Sequence, residues 1–516
     1  MFCTAFLALV ALPATASATS SQVAIDTAVE KAVEYVRPLQ EASGEIPGFG
    51  GEWMTVSLAA AGVNAADLRT SPTDPTLQDF LLGEYGSEAW GDEPPEGTAY
   101  EYETATLVSH GAGLDPARLS AVSNQPAQLA GVWNLPAGSF GDASTNTTIF
   151  GILAMRATPL PRWALAPAVT FLRRNQHDDG GWTYTASLTA EEKEDPSEED
   201  MTGAAIAALC GAGVPAYDPA VADALTFLRS RMDSATGGVE WLFGPPNADT
   251  EAWVLSGLTA CGVDPQSAEW TTGSEKTMLD FLLSLQVPSA PGAGGFGYTD
   301  SSAANFFATQ DALRAVAGGG FTVPPPARSD PSLPSVRPAP IIAAGTPVPH
   351  VLAIELAPGN VRMCKVTAPA GAPLTEVLAA AKAGAHPSGC VTSFAAAGGT
   401  VASVDGVTPE GEDEVWLLRL DRHAEEVAGN QPVGFGDAIA LRVGKRPAVG
   451  QDQAAPASQS GPAGKAGNPG PRGKRGAKGR PGRKGRIVCR PHRRRSGKHP
   501  RRCAVKHRHR SQRGSH

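Results

Sequence analysis

Phe171-Leu172-Arg173-Arg174-Asn175-Gln176, then Asp179-Gly180-Gly181-Trp182, then the apolar run Met201-Thr202-Gly203-Ala204-Ala205-Ile206-Ala207-Ala208-Leu209 carry the reading of the fold. An aromatic helix end, a glycine turn bearing one aromatic residue, and a second helix follow in that order. The second helix has no polar face, so it must be enclosed on all sides. The unit recurs, with helix ends starting at Tyr35, Phe80, Gln128, Phe171, Phe227 and Phe281. Its turns are Gly48-Phe49-Gly50, Ala89-Trp90-Gly91, Ser139-Phe140-Gly141, Gly180-Gly181-Trp182, Gly237-Gly238-Val239 and Gly295-Phe296-Gly297. Ala61-Gly62, Ala112-Gly113, Ala212-Gly213, Cys261-Gly262 and Gly318-Gly319 then stop the second helices, glycine serving the left-handed cap, while the third copy ends on Ala157-Thr158-Pro159.

Six enclosed helices, each paired with a more amphipathic one, predict an all-α (α/α)6 toroid over residues 22–323, inner helices ringed by outer ones. An open solenoid of helix pairs is the alternative. The fourth copy, with Gln176 and Trp182, resembles the QW repeat of squalene–hopene cyclases and protein prenyltransferases, which share the six-fold toroid. The resemblance implies a structural role for both residues, tying outer helix to inner.

Beyond the repeats the pattern changes. Residues 324–340 hold seven prolines, and the Pro-rich stretch 324–346 reads as an extended, semi-rigid spacer. From 347 to 446 short strands surround one helix, Leu374 to Ala383: a small α+β, β-rich domain. Strands are expected at Val351–Leu356, Val361–Val366, Val415–Leu420 and Ala438–Val443. This order, with Trp416 late and Gly436-Asp437-Ala438-Ile439 before the last strand, is similar to the C-terminal domain of the intrinsic factor and transcobalamin family. The whole order from 22 to 446 resembles that family, in which the ligand lies between two domains.

The ends differ in character. Residues 1–18 read as a signal peptide, an apolar run with A-x-A cleavage options at Ala14-Thr15-Ala16 and Ala16-Ser17-Ala18; a buried N-terminal helix is the alternative. From Gly461 to His516 there are 20 Lys and Arg and no acid, leaving 23 of the 43 cations against all 52 Asp and Glu in the body. Gly461 opens nine glycines at period three, a collagen-like spacing; like-charge crowding favours a disordered cationic tail, with trimerisation as the alternative. Its partners would be acidic cell-envelope polymers rather than a specific nucleic acid. No later apolar run is long enough to span a membrane.

Without Cys3 in the signal, six cysteines remain, an even number suited to a secreted or cell-surface protein. Two fall in each region, so the simplest connectivity is Cys210–Cys261, Cys364–Cys390 and Cys489–Cys503.

Enzyme chemistry is hard to find. There is no Asp-x-Asp-Asp string, zinc triad, Gly-x-Ser-x-Gly, His-Glu-x-x-His, P-loop or Cys-Gly-Glu-Gln. Polar residues instead gather at the inner-helix N-termini, where they would ring one mouth: Glu52, Glu103, Thr148, Asp200, Thr202, Asp249, Thr250, Gln310 and Asp311. Each could equally be a helix cap. Asp200, Thr202, Asp249, Thr250 and Gln310, with Trp253 to stack on a planar ligand, form the candidate ligand site. The expectation is an exported, noncatalytic small-ligand-binding protein that needs no cofactor and binds no metal. The resemblance implies a corrinoid, such as cobalamin, held between mouth and small domain. The alternatives are a terpene cyclase or prenyltransferase-like enzyme, and a surface adhesion protein acting through its tail.

Overall fold

The computed structural model describes residues 20–447 apart from 49, 92–98, 135–136, 188, 331–339, 384–389 and 412. The chain divides into two units, 1–456 and 457–516. The stretches read as a signal peptide and as a collagen-like, basic tail, with the expected Cys489–Cys503 bridge, lie outside the described residues.

Twelve helices alternate between two roles. Outer helices are α1 (Gln22–Val36), α3 (Leu77–Tyr85), α5 (Gln125–Gly131), α7 (Ala166–Arg174), α9 (Pro219–Ser230) and α11 (Met278–Ser284). Inner helices are α2 (Met54–Ala60), α4 (Tyr100–Gly111), α6 (Thr145–Arg156), α8 (Glu199–Gly211), α10 (Ala248–Cys261) and α12 (Phe306–Val316). Each inner helix touches the next, and α12 touches α2, so the ring is closed and not an open solenoid. A small hairpin, β1 (Trp133–Asn134) with β2 (Ser139–Phe140), forms the third turn.

The glutamines of the outer helix ends stitch the ring. Gln176 Nε2 donates to Gly180 O and, across to α9, to Ala220 O, both at 2.7 Å. Gln286 repeats the device, donating to Gly294 O and to Ala28 O of α1, which joins the last repeat to the first. Trp182 is wholly buried, with Nε1 donating to Leu172 O at 2.8 Å. Glycine sets the closest helix contact. A Cβ on Gly203 of α8 would stand 2.7 Å from the α10 backbone, and one on Gly257 would stand 2.5 Å from Gly203 O. The disulfide Cys210–Cys261 joins this same pair, with Cα atoms 5.1 Å apart.

The small domain is a five-stranded sheet in the order β4-β3-β9-β7-β8: β3 (Pro347–Ala357), β4 (Asn360–Pro369), β7 (Glu414–Leu420), β8 (Glu426–Val427) and β9 (Ile439–Lys445). Helix α13 (Leu374–Ala383) and a separate hairpin, β5 (Phe394–Ala397) with β6 (Thr400–Val404), complete it. Strand period two divides its side chains. Leu352, Ile354, Cys364, Val366, Ile439 and Leu441 join the core under α13, with Trp416 fully buried among them. Val351, Ala353, Val361 and Met363 point the other way, into the core of the toroid. A sheet covered on both faces explains why β3 reads as a continuous apolar run. Cys364–Cys390 bridges β4 to the segment before the hairpin.

The sheet docks on the outer wall, and this differs from the expected lid over the mouth. Strands β3 and β4 pack on α5 and beside α7. Asn124 donates to Pro349 O, and Lys365 Nζ to Gln128 Oε1. Arg118, in the loop after α4, pairs with Asp421 and Asp437 and donates to Phe435 O. These partners sit on α5 or on loops at the C-terminal ends of the inner helices. The unsatisfied apolar face of the sheet decides the docking, and α5 supplies its match.

The proline-rich segment also departs from the spacer reading where it is described. Phe321 inserts between inner helices, Thr322 Oγ1 donates to Leu153 O of α6, and Asn64 donates to Pro326 O at 2.6 Å. Arg328 and Ser329 both bind Asp67. Proline has no amide hydrogen to satisfy, so an extended run can lie flat on a helix-end surface when side chains meet its carbonyls. It closes the C-terminal end of the toroid.

Candidate functional site

At the opposite end, the inner-helix N-termini bring together an acidic cluster, called the basin below, around Asp249. The lining follows one stripe of each helix, with side chains at i, i+3 and i+4 sharing a face. On α10 these are Asp249 and Trp253, the second and sixth residues. On α12 they are Asp311 and Arg314, the sixth and ninth; on α6 the sixth is Phe150.

Trp253 Nε1 donates to Asp311 Oδ2 at 2.9 Å, and Arg314 pairs with Asp311 Oδ1 at 2.9 Å. Arg314 is 1% exposed and lies over the Phe321 ring, 4.4 Å from its centroid. Phe150, Trp253 and Phe321 meet edge to face, with centroids 5.4–5.5 Å apart, and Trp53 reaches Phe150 at 6.1 Å. Aromatic rings thus pack beneath the acidic cluster, while a cavity of about 760 Å³ opens between α1 and the C-terminal ends of α2, α10 and α12.

Burial pushes the Asp249 carboxyl up to about 7, the charges of Asp311 and Asp200 adding to the effect and Arg314 opposing it. Among the described residues its buried Oδ1 has no hydrogen-bond partner. Asp200 is also raised by burial, although its Oδ1 accepts from Met201 N. Tyr298, half out in solvent at the rim, has its phenol raised by burial and by Asp249 and Asp200. Three aspartates from three helices therefore share one field around a neutral-pH carboxyl. Among the described residues, no three His, Cys, Asp or Glu side chains are gathered closely enough to hold a metal ion.

Asp200, Asp249 and Trp253 come together here; Thr202, Thr250 and Gln310 do not. Thr202 Oγ1 accepts from Trp182 N and donates to Glu198 O, fully buried. The fourth residue of other inner helices repeats that anchor: Glu251 accepts from Val239 N and Thr309 from Phe296 N. Burial raises Glu251 to about 8, which keeps it neutral at pH 7. Glu103 occupies the same position on α4, fully buried and raised well above the usual carboxylate range by burial and Asp142. Thr250 is buried at the Asn247 cap, Asn247 Oδ1 accepting its N–H. Gln310 is buried where α12 meets α2, its backbone carbonyl accepting from Ser57 while its side-chain Oε1 is buried with no partner among the described residues. Arg314 and Phe150 are additions that the list of candidates lacks. Aligning the inner helices on their repeat and reading the second, sixth and ninth positions is the signal that finds them.

A cleft of about 410 Å³ lies between α3 and the N-termini of α2 and α4, lined by Trp90, Tyr100, Glu45, Glu52, Glu84 and Glu101 among others.

No family model and no curated protein matches the chain. Among solved structures, haptocorrin in complex with Cbi is similar over 82% of this chain and 98% of that one, at 11% identity and TM-score 0.33. The apo type II terpene cyclase MstE from Scytonema is similar over 58% and 98%, at 16% identity and TM-score 0.39. A glycosidase variant is similar over 60% and 100%, at 12% identity and TM-score 0.39. At such scores these likenesses carry nothing about the activity of this chain.

Proposed function

We propose that the protein is an exported small-ligand-binding protein whose site is the acidic mouth of the toroid. The observation that carries this is Asp249: a carboxyl oxygen buried without a partner, beside an indole and two further aspartates. A buried acceptor left unmatched favours a ligand that donates hydrogen bonds or carries positive charge. Two disulfides support passage through an oxidising compartment, and no described helix is long and apolar enough to cross a membrane.

A corrinoid, which the sequence resemblance implies, carries amide donors on its periphery and would have to be held by the mouth alone. Titrating the full-length protein with a corrinoid panel, and with spermidine as a simple cation, while following tryptophan fluorescence tests the reading. A saturable change lost in Asp249→Asn is expected. No change with any probe at about millimolar concentration removes these ligand classes.

A second reading is favoured by the same carboxyl. An acid near neutral range, over an aromatic floor, can deliver a proton to a bound substrate. Turnover of a polyprene, abolished in Asp249→Asn and Asp200→Asn, would establish a cyclase-like enzyme instead.

A further inference from the structure

We infer that the cavity beside α1 is a second ligand site, independent of the mouth, and that it takes a single-chain amphiphile with a cationic head. Its volume of about 760 Å³ falls in the range of small-molecule sites, about 300–1,000 Å³. Gln22 and Arg37 both line it, so it follows α1 from end to end, about 22 Å at about 1.5 Å per residue. A docked helix of that length, about 10 Å across, would occupy roughly twice the volume. The walls are apolar, formed by Val29, Val33, Val63, Leu255, Leu279 and Val316. Val29 and Val63 are only partly buried, so apolar surface is left in the cavity for a ligand to cover.

Other inner-helix ends are covered, and these are not. The glycine stop of α4 lies under Gln78 and Pro325, and that of α8 under Arg162, where an added Cβ would stand 3.0–3.3 Å from its neighbours. A Cβ on Gly62, Gly262 or Gly318, the stops of α2, α10 and α12, would meet nothing within 4 Å. The residues facing α1 at these ends are Ala60, Ala61, Thr259 and Ala317. All four are too short to do what Arg162 does over α8, so the gap follows from the side chains at these positions.

Charge selects the head. Asp26, Glu30 and Glu34 stand at successive i, i+4 positions along the bank formed by α1, all exposed, against Arg37 at the far end. Asp26 also accepts from Gln22, an uncharged donor, at 2.8 Å. The C-terminal ends of α10 and α12 add the negative ends of two helix dipoles to the same cavity. An anionic head meets repulsion along most of this length, whereas an ammonium meets carboxylates while its chain covers Val29 and Val63. A small cation without a chain gains only the screened attraction of exposed carboxylates and leaves the apolar wall wet. The chain therefore supplies the affinity and the head the selection.

The test is calorimetric titration of the full-length protein, below the micellar threshold, with dodecyltrimethylammonium, its hexyl homologue and dodecanoate. Dodecyltrimethylammonium should saturate one site per chain, at least about tenfold more tightly than dodecanoate. It should bind at least about a hundredfold more tightly than the hexyl homologue, which buries half the chain. Ala61→Trp, which puts an indole into the cavity, should abolish the site. Glu30→Lys combined with Glu34→Lys, at two exposed positions, should reverse the preference in favour of dodecanoate. Asp249→Asn should leave this site unchanged. Equal affinity for the two dodecyl compounds, or a preference that survives the charge reversal, overturns the cationic head. A hexyl homologue that binds as tightly as the dodecyl compound overturns the chain. Binding that persists in folded Ala61→Trp, or is lost in Asp249→Asn, overturns the location. Should Ala61→Trp fail to fold, the charge-reversal variant decides alone. A dimer in sedimentation that Ala61→Trp converts to monomer would make a second copy the occupant, and also overturns the proposal.

Discussion

The two ends of the toroid are built from the same six inner helices and have opposite characters. At the C-terminal ends the chain covers the central axis: Phe321 plugs the centre, residues 322–329 strap across helix ends, and the loop after α4 holds the small domain, leaving a cavity of about 760 Å³ beside α1. At the N-terminal ends, side chains of three helices leave a basin with an unmatched carboxyl. The difference shows what a ring of apolar helices must solve. A closed toroid has a lumen, an empty lumen forfeits packing, and filling it from one end reserves the other.

The largest effect should come from opening the sealed end. Phe321 is 2% exposed and packs on Phe150, Trp253 and the Arg314 guanidinium. Phe321→Ala should cost about 3–5 kcal/mol in urea unfolding. A loss below about 1 kcal/mol would mean that the segment is not what closes the lumen. Next in size is the clamp between α8 and α10. Replacing both Cys210 and Cys261 by Ser should cost about 2–4 kcal/mol, since the bridge closes a long loop in the unfolded chain. Under reducing conditions, which open Cys364–Cys390 in both proteins, the wild type and the double variant should unfold at the same midpoint.

How much of this contrast can be read from the sequence follows from range. Gln176, Trp182 and the glycine stops act within one repeat or on the next, so their spacing carries the toroid, its twelve helices and the Cys210–Cys261 pairing. Helix α13 is legible to its observed bounds, because Pro373 and a simple apolar stripe mark it, whereas the short hairpin β5–β6 has no strong alternation and escapes the pattern. The basin is another matter. Asp200, Asp249 and Asp311 lie in three helices, so no contiguous acidic string announces them, and a search for one finds nothing. Thr202 is a fair candidate by type, yet its hydroxyl serves the turn of its own repeat. Phe321 stands just past the last repeat, where a proline-rich continuation reads as spacer; only the shape of the lumen says what it fills.

The open end should answer to pH. Asp249 rests at about 7 against an ordinary value of 3.8, so between these limits the folded protein binds a proton that the unfolded chain has released. Stability of the free protein from this group is therefore greatest below about pH 4 and falls as pH rises through 7. Ligand binding runs the other way, since a donor or cation prefers the ionised carboxylate. Affinity should rise with pH by up to about tenfold per unit below 7 and level off above it. Asp249→Asn should flatten both profiles, raising unfolding midpoints at pH 8 more than at pH 5. Parallel profiles for the two proteins would take Asp249 out of the site.

The smallest effect should be at the latch of the small domain, although its geometry looks the strongest. Arg118 faces Asp115, Asp421 and Asp437 and also donates to Phe435 O. Its side chain is 30% exposed, and its partners are between 19% and 43% exposed, so water screens most of the attraction. Exposed pairs of this kind contribute about 0–1 kcal/mol, and Arg118→Ala should cost no more than that in global unfolding. The apolar face of β3 and β4 against α5 does the holding, with Val351, Ala353, Val361 and Met363 each nearly inaccessible. Met363→Ala should therefore cost more than Arg118→Ala, about 2–5 kcal/mol. If the order is reversed, the small domain is held by charge, and raising the salt concentration should then release it, which an apolar contact would resist.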